Sequence, residues 1–123
     1  MFKKIVPRQR QQSVSSSNVH IQAVSKLNKN ITITRGYWDI ITRVKHPAAK
    51  GKERAVKEAL KNPEYIRRSK TDEKVYLFYK KQKKYHLCVV VRHLNGDGFI
   101  ITVYITDKIK EGEQVWPKKH SQN

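Results

Sequence analysis

The chain has 123 residues, which suits one domain with a single hydrophobic core. Its 27 Lys and Arg residues against 10 Asp and Glu give a formal net charge of +17, which favours nucleic acid as partner, then an acidic protein, then a membrane surface. The single cysteine, Cys88, excludes an internal disulfide and a cysteine-based metal site. No apolar window is long enough to span a membrane, so we expect a cytoplasmic protein.

Composition divides the chain into an arm, a domain and a tail. Residues 1–18 are basic and rich in Ser and Gln, with few apolar side chains to bury, and predict a flexible basic arm. Residues 19–117 carry the apolar patterns of one domain. Residues 118–123 are polar and predict a disordered tail.

The first half of the domain predicts a hairpin followed by a helix. Residues 19–24 and 30–34 alternate between apolar and polar positions and flank a short polar turn, which is typical of a β-hairpin. Thr34 or Gly36 then opens a helix with an apolar stripe of Tyr37, Trp38, Ile40, Ile41 and Val44. His46 precedes Pro47, whose ring disfavours helical backbone at the residue before it, so we expect His46 at the helix end.

The second half predicts another helix and then strands. A helix is expected over residues 52–61 and is stopped by Asn62-Pro63, and a short strand follows over residues 64–69. Apolar runs at 75–80, 85–94 and 99–106 predict three antiparallel strands. The predicted fold class is α+β, with an N-terminal β-hairpin and two helices packed on an antiparallel sheet of about four strands.

Alternation along these three strands predicts which face of the sheet is buried. The odd positions are the more apolar, and we expect them to form the core face: Val75, Leu77, Tyr79, Tyr85, Leu87, Val89, Val91, Phe99, Ile101, Val103 and Ile105. A three-residue loop, Gly96 to Gly98, would keep this register and place Arg92 opposite Thr102. The even face, which includes Tyr76 and Phe78, mixes polar and apolar residues, and we expect the functional site there.

Several chemistries lack the residues that they need. The five histidines and ten acidic residues show no metal-ligand spacing, and neither a phosphate-binding glycine motif nor a nucleophile elbow is present. We therefore predict no metal and no cofactor. RNA cleavage without a metal needs less, because the 2′-OH of the substrate is the nucleophile and the protein supplies only a base, an acid and positive charge.

The residues for that chemistry occur near the predicted even face and beside the first helix. The catalytic candidates are His46, Arg68, Thr102 and Tyr104, and the substrate-binding candidates are Lys45, Arg67, Lys80 and Arg92. Each has a structural alternative. His46 can cap a helix, the arginines can contact phosphate without chemistry, and Thr102 and Tyr104 can be ordinary strand residues.

A set of ordered short segments resembles the phage-Barnase-EndoU-colicin-RelE-like nuclease domains over about residues 30–117. The segments are Tyr37-Trp38-Asp39-Ile40-Ile41, Lys45-His46-Pro47, Leu60-Lys61-Asn62-Pro63, Ile66-Arg67-Arg68-Ser69 with Asp72, Tyr79, Val89-Val90-Val91, Ile101-Thr102-Val103-Tyr104, and Lys110-Glu111-Gly112 with Trp116. The resemblance implies two helices on a four-stranded antiparallel sheet and ribonuclease activity without a metal. It also implies an active site at His46, Arg68, Thr102 and Tyr104, and it adds Tyr79 to these catalytic candidates. One position departs from the family pattern: Ala48 stands where relatives have a glutamate.

The resulting hypothesis is an endoribonuclease that cleaves RNA by 2′-OH attack. We expect the toxin of a toxin–antitoxin pair or a nuclease of a phage or mobile element, with an acidic antitoxin as protein partner. A non-catalytic basic module that binds nucleic acid is the alternative, and a structural component of a ribosome-like or phage assembly is a third possibility.

Overall fold

The computed structural model describes residues 18–110 and 112–118. The predictions of an arm and of a tail fall almost entirely outside these residues. Seven strands are described: β1 (Val19–Val24), β2 (Asn30–Thr34), β3 (Tyr65–Arg68), β4 (Val75–Gln82), β5 (Tyr85–His93), β6 (Asp97–Thr106) and β7 (Glu113–Trp116). The helices are α1 (Arg35–Ile40), which continues as a π-helical turn over Ile41–Lys45, a 3-10 turn at Pro47–Ala49, and α2 (Glu53–Lys61).

All seven strands belong to one mixed sheet in the order β1-β2-β6-β5-β4-β3-β7. The fold class α+β and the N-terminal hairpin are confirmed, but the prediction of an antiparallel sheet of about four strands is wrong. The hairpin joins the sheet because β2 pairs in parallel with the start of β6, and β7 adds a further antiparallel strand beside β3. The parallel pairing brings strands together from distant parts of the chain, so local periodicity carries no sign of it.

Gly98 permits the parallel junction between β2 and β6. A Cβ atom at this position would lie 2.5 Å from the backbone oxygen of Arg92 and 3.1 Å from the Cδ1 atom of Ile31. Any side chain would therefore push β6 away from both neighbouring strands. Gly98 is buried inside β6, and the hairpin turn instead uses Gly96, whose φ of 77° suits glycine.

The first helix begins as predicted and ends differently. The Thr34 side chain caps α1 by accepting a hydrogen bond from the Tyr37 backbone N–H at 3.2 Å. The last turn widens into a π-helix, and the His46 N–H donates to the Ile41 carbonyl at 2.7 Å. Trp38 and Ile41 are buried, whereas Ile40 and Val44, which the apolar stripe also included, are 49% and 75% exposed.

The main core lies between α2 and one face of the sheet, which we call the helix face. From α2 it receives Val56, Ala59 and Leu60, all fully buried. From β3 to β6 it receives Ile66, Phe78, Leu87, Val89, Val91, Ile100 and Val103. The opposite face, which we call the tyrosine face, carries a second buried cluster of Leu77, Tyr79 and Cys88 against Tyr104 and Ile109.

The predicted register is wrong for β4. The hairpin between β4 and β5 has a two-residue turn, Lys83-Lys84, in which Lys83 takes a left-handed φ of 57°. Odd residues of β4 therefore face even residues of β5, as in the pair of Tyr79 with Cys88. As a result Tyr76 and Phe78 point to the helix face, and Val75, Leu77 and Tyr79 point to the tyrosine face.

A β-bulge gives the start of β6 a different register from the predicted one. The pairing shifts between Val90 and Val91, so that Val90 faces Thr102 but Val91 faces Ile100. Leu87, Val89 and Val103 stay on the helix face as expected, and Ile100 replaces the predicted Phe99 and Ile101. Arg92 consequently lies opposite Phe99, not Thr102. A bulge adds one residue to a strand where packing requires it, and the alternation of apolar and polar residues does not reveal that packing.

His93 is a buried ring that should make the fold sensitive to acid. It stacks on Tyr76 with 4.1 Å between ring centroids, and burial, together with the charge of Lys29, lowers its pKa to about 4. Below pH 6.5 the unfolded chain binds a proton at this histidine that the folded chain refuses, so the free energy of unfolding falls as the pH drops towards 4.

We expect wild type to lose about 2 kcal/mol more stability than His93→Phe between neutral pH and about pH 4.5. Urea unfolding of both proteins at the two pH values measures this difference. The carboxylates titrate in both proteins, so they cancel in the comparison. Equal losses in the two proteins would contradict the assignment of the acid sensitivity to His93.

Candidate functional site

One row of side chains crosses the tyrosine face from β3 to β6. Tyr65 on β3 pairs with Tyr79 on β4, Tyr79 pairs with Cys88 on β5, and Cys88 pairs with Tyr104 on β6. Side chains at paired positions lie on the same face of a sheet, so the four form a continuous line. His46 extends the line beyond β6, because its ring centroid lies 5.6 Å from that of Tyr104.

His46 reaches the sheet because of how the first helix ends. The π-helical turn and the 3-10 turn at Pro47–Ala49 meet at His46, whose backbone leaves the helical region with φ −143° and ψ 78°. Proline at position 47 excludes helical backbone at His46, as the sequence predicted. The break directs the imidazole towards β6, and the ring is partly exposed.

Lys110 places a positive charge beside Tyr104. Its ammonium nitrogen lies 5.9 Å from the centroid of the Tyr104 ring, within reach of a cation–π contact. The backbone N–H of Lys110 donates to the Tyr79 hydroxyl at 3.0 Å, which holds the segment after β6 against the sheet. Ile109 packs on the cluster of Leu77, Tyr79 and Cys88 beside it.

The groups at the centre of the row remain protonated at neutral pH. Burial, aided by the neighbouring Cys88, raises the pKa of Tyr79 to about 12, and burial raises the pKa of Cys88 to about 11. Burial also raises the pKa of Tyr104 well above that of a free tyrosine, with Cys88 and Tyr79 adding to the shift. These residues can therefore donate hydrogen bonds, whereas a proton acceptor must come from another residue, and His46 is the neighbour able to accept one.

Four buried polar atoms on the tyrosine face have no hydrogen-bond partner within the described part of the chain. They are Arg67 Nε, His86 Nδ1, Thr102 Oγ1 and Tyr104 OH. Thr102 lies two residues before Tyr104 on β6, so both hydroxyls point to the same side. Buried polar groups in folded proteins are normally paired, and a set of unpaired ones marks a place where a ligand or water can bind.

Arg68, a predicted catalytic residue, lies away from this group. It pairs with Tyr76 on β4, and its guanidinium lies 5.9 Å from the Tyr76 ring on the helix face. Its ion pair with Glu113 is 2.8 Å long. Three strand spacings separate β3 from β6, roughly 14 Å, and the sheet itself lies between Arg68 and Tyr104. The predicted grouping of Arg68 with His46 is therefore wrong.

Tyr79 joins the row but is completely buried. Its hydroxyl accepts the Lys110 N–H, so the described contacts make it a residue that fixes the segment after β6. His46 and Tyr104 are thus the predicted catalytic residues that contact one another, and Thr102 lies beside Tyr104 on the same face of β6.

The predicted substrate-binding residues are spread over the molecule. Arg67 faces the tyrosine side and donates to the Gly112 carbonyl at 3.3 Å. Arg92 is on the same face and forms an ion pair with Asp72. The Lys74 backbone N–H, which donates to the Asp72 carboxylate, and secondly Arg92 lower the pKa of that carboxyl. Lys80 donates to the Asn62 carbonyl at 2.7 Å on the helix face, and the Lys45 ammonium lies 5.6 Å from the Tyr37 ring.

Two members of the site, Lys110 and His86, are not among the residues predicted from the sequence. Lys110 belongs to a segment that the sequence marks only by its resemblance to the nuclease domains, and the hydrogen bond to Tyr79 and the packing of Ile109 bring it to Tyr104. His86 was set aside because its spacing fits no metal site. It faces the same side as Tyr79, with 6.2 Å between the two ring centroids.

Among residues 18–110 and 112–118, no group of three or more His, Cys, Asp or Glu side chains is placed to hold a metal ion. Within the same residues, no helix has the length and apolar character needed to cross a membrane. Comparison of the chain with protein-family models, with curated proteins and with solved structures gave no match. The resemblance to the nuclease domains therefore stays a prediction from the sequence.

Proposed function

We propose that the protein is an endoribonuclease that cleaves RNA without a metal, by attack of the 2′-OH on the neighbouring phosphate. The observation that carries this proposal is the contact of His46 with Tyr104, beside the ammonium of Lys110. His46 is the proton acceptor, Tyr104 the hydrogen-bond donor and Lys110 the positive charge, and the three lie close together. The net charge of +17 would attract an RNA backbone to it.

The proposed reaction needs a base, an acid and hydrogen-bond donors, and the residues in and beside the row supply them. His46 accepts the proton of the 2′-OH, whose oxygen then attacks phosphorus. The bond from phosphorus to the 5′ oxygen breaks, and that oxygen takes a proton from Lys110 or Tyr104. The products are a 2′,3′-cyclic phosphate and a free 5′-OH. Thr102 and Tyr104 donate hydrogen bonds to the phosphate oxygens as negative charge develops on them.

Access of a phosphate to these hydroxyls requires a local movement. The Oγ1 of Thr102 and the hydroxyl of Tyr104 are buried, and the segment that ends at Lys110 lies beside them. Two contacts anchor this segment, the hydrogen bond from Lys110 to Tyr79 and the packing of Ile109 on the cluster of Leu77, Tyr79 and Cys88. Breaking one such hydrogen bond costs about 1 kcal/mol and exposing the Ile109 side chain costs about 1.5–3 kcal/mol at most, which binding of a dianionic transition state can offset.

We further propose that the enzyme is the toxin of a toxin–antitoxin pair or a nuclease of a phage or mobile element, acting in the cytoplasm where its RNA substrate is found. The strong positive charge supports an acidic antitoxin as partner. A short neighbouring reading frame that encodes an acidic protein would support this part of the proposal. Co-expression should then abolish cleavage, and cleavage that persists with the acidic protein present would contradict it.

The reaction is tested by the chemistry of its products. Purified protein is incubated in EDTA with an end-labelled RNA and with the same RNA carrying 2′-deoxyribose at every position. We expect the protein to cleave the RNA, leaving 2′,3′-cyclic phosphate ends, and to leave the deoxyribose strand intact. Cleavage of the deoxyribose strand, or 5′-phosphate products, would exclude 2′-OH attack. Intact RNA under all conditions would remove the catalytic proposal.

The burial of the Thr102 and Tyr104 hydroxyls favours one second candidate, a basic module that binds nucleic acid without cleaving it. Such a module would bind RNA and DNA with an affinity that falls steeply as salt rises, and would show no turnover. The same incubation distinguishes the two candidate functions. RNA that is bound but stays intact after prolonged reaction would indicate the non-catalytic module.

A further inference from the structure

The β3 end of the row on the tyrosine face carries an aromatic group that the proposed reaction does not use. Tyr65 on the short strand β3 is 37% exposed, and its ring centroid lies 6.3 Å from that of His86 on β5. His86 is half buried, and its ring also lies nearly perpendicular to that of Tyr79. The Tyr65 and His86 rings together form a partly exposed surface.

Positive charge surrounds this pair of rings. Lys81 pairs with His86 across β4 and β5, so its side chain lies on the same face, and it is exposed. Lys83 and Lys84 form the turn of the same hairpin and are exposed as well. Within the described residues the ion pairs are His20–Glu53, Arg68–Glu113 and Arg92–Asp72, so the ammonium groups of these three lysines form none of them. One carboxylate is close by: Glu64 accepts a hydrogen bond from the Lys81 backbone N–H at 2.7 Å.

One polar atom of this group has unused hydrogen-bonding capacity. The Nδ1 atom of His86 is buried and unpartnered within the described residues, although its ring borders the exposed Tyr65. An aromatic ring beside an unpaired polar atom and unpaired cations is the combination that holds an unstacked base. Tyrosine and histidine both stack on bases, and lysine contacts the adjoining phosphate.

We infer that Tyr65 and His86, together with Lys81, form a stacking subsite for one base of single-stranded RNA. This inference rests on the proposed function for its choice of RNA as ligand. Tyr65 lies three strand spacings from Tyr104, roughly 14 Å, so a strand of a few nucleotides can reach from the subsite to His46. A base in a duplex is stacked and paired, and it cannot lie on Tyr65. The substrate is therefore unpaired RNA.

The test measures binding separately from cleavage. Fluorescence anisotropy follows a short labelled RNA whose 2′-hydroxyls are all methylated, which removes the nucleophile, and the duplex of the same sequence. Tyr65→Ala is expected to weaken binding of the single strand by about 5- to 150-fold and to leave duplex binding within about twofold. Tyr65→Phe keeps the ring and should bind as wild type does.

Tyr85→Ala is the matched control. Tyr85 is exposed on the same hairpin, at 45%, but its position two residues before Leu87 puts it on the helix face. It should bind the single strand as wild type does. Lys81→Ala should lower the slope of affinity against salt by about one phosphate contact. Thermal unfolding of each variant shows whether the fold is kept.

The outcomes separate this inference from the proposed function. Unchanged binding by Tyr65→Ala, or an equal loss in Tyr85→Ala, would overturn the subsite. So would a Tyr65→Phe variant as weak as Tyr65→Ala in a folded protein. The protein could also fail to cleave RNA while Tyr65→Ala selectively loses single-strand binding. That result would support the subsite and overturn only the catalytic proposal.

Discussion

His46→Ala should lower the rate of RNA cleavage by about a hundred- to ten-thousand-fold, which is the usual contribution of one positioned acid or base. The imidazole contacts Tyr104 at the end of the row, and burial keeps Tyr104 and Tyr79 protonated, so in the proposed reaction His46 would accept the 2′-OH proton. The measurement is the single-turnover rate on a labelled RNA in EDTA. The affinity for a 2′-methylated RNA should change little, because the lost group acts in the transition state.

Two variants serve as controls for this loss. Arg68→Ala should keep the rate within a few-fold, because the guanidinium lies on the helix face and pairs with Glu113. Tyr79→Phe should lower the rate by less than His46→Ala does, because the Tyr79 hydroxyl anchors the Lys110 backbone and takes no part in the proposed proton transfers. If Arg68→Ala loses as much activity as His46→Ala, or His46→Ala cleaves normally, the site lies elsewhere on the protein.

Phe78→Ala should reduce the free energy of unfolding by about 3–5 kcal/mol, a large fraction of the total for a domain of this size. The Phe78 ring is completely buried on the helix face, among the side chains that α2 covers. Removing it leaves a cavity that the surrounding β-sheet can fill only in part. Urea unfolding followed by circular dichroism measures the change.

Phe99→Ala is the matched comparison for this prediction. Alternation along the strands predicts Phe99 in the core and Phe78 outside it, whereas the structure gives the reverse: Phe78 is fully buried and Phe99 only half buried. The loss in Phe99→Ala should be clearly smaller than that in Phe78→Ala. A larger loss in Phe99→Ala would favour the alternation over the observed register.

Local signals in the sequence predicted most of the elements. The hairpin strands have the predicted bounds, α2 begins one residue late, and His46 stands at the break after the first helix. Each of these depends on residues close in the chain: alternation, a capping threonine, and a proline that constrains its neighbour. The strand β7 was missed because four residues of mixed character show too little alternation to predict a strand.

The candidate site was predicted only in part. Residues on one strand, such as Thr102 and Tyr104, were correctly expected on one face, because alternation fixes their relation. Arg68 was grouped with His46, from which the sheet separates it, and Tyr79 and Phe78 were interchanged between faces. Both errors follow from relations between strands, which depend on the two-residue turn at Lys83-Lys84 and on the bulge beside Val91.

The sequence by itself determined the α+β class, the order of the elements, the strong positive charge and the position of His46 at a helix end, because composition and short-range sterics decide these properties. Only the tertiary structure decided that the hairpin joins a seven-stranded sheet, that Phe78 is in the core, and that His46, Tyr104 and Lys110 meet. A shift of one residue between strands exchanges the two faces of a sheet, and packing between distant parts of the chain selects the register.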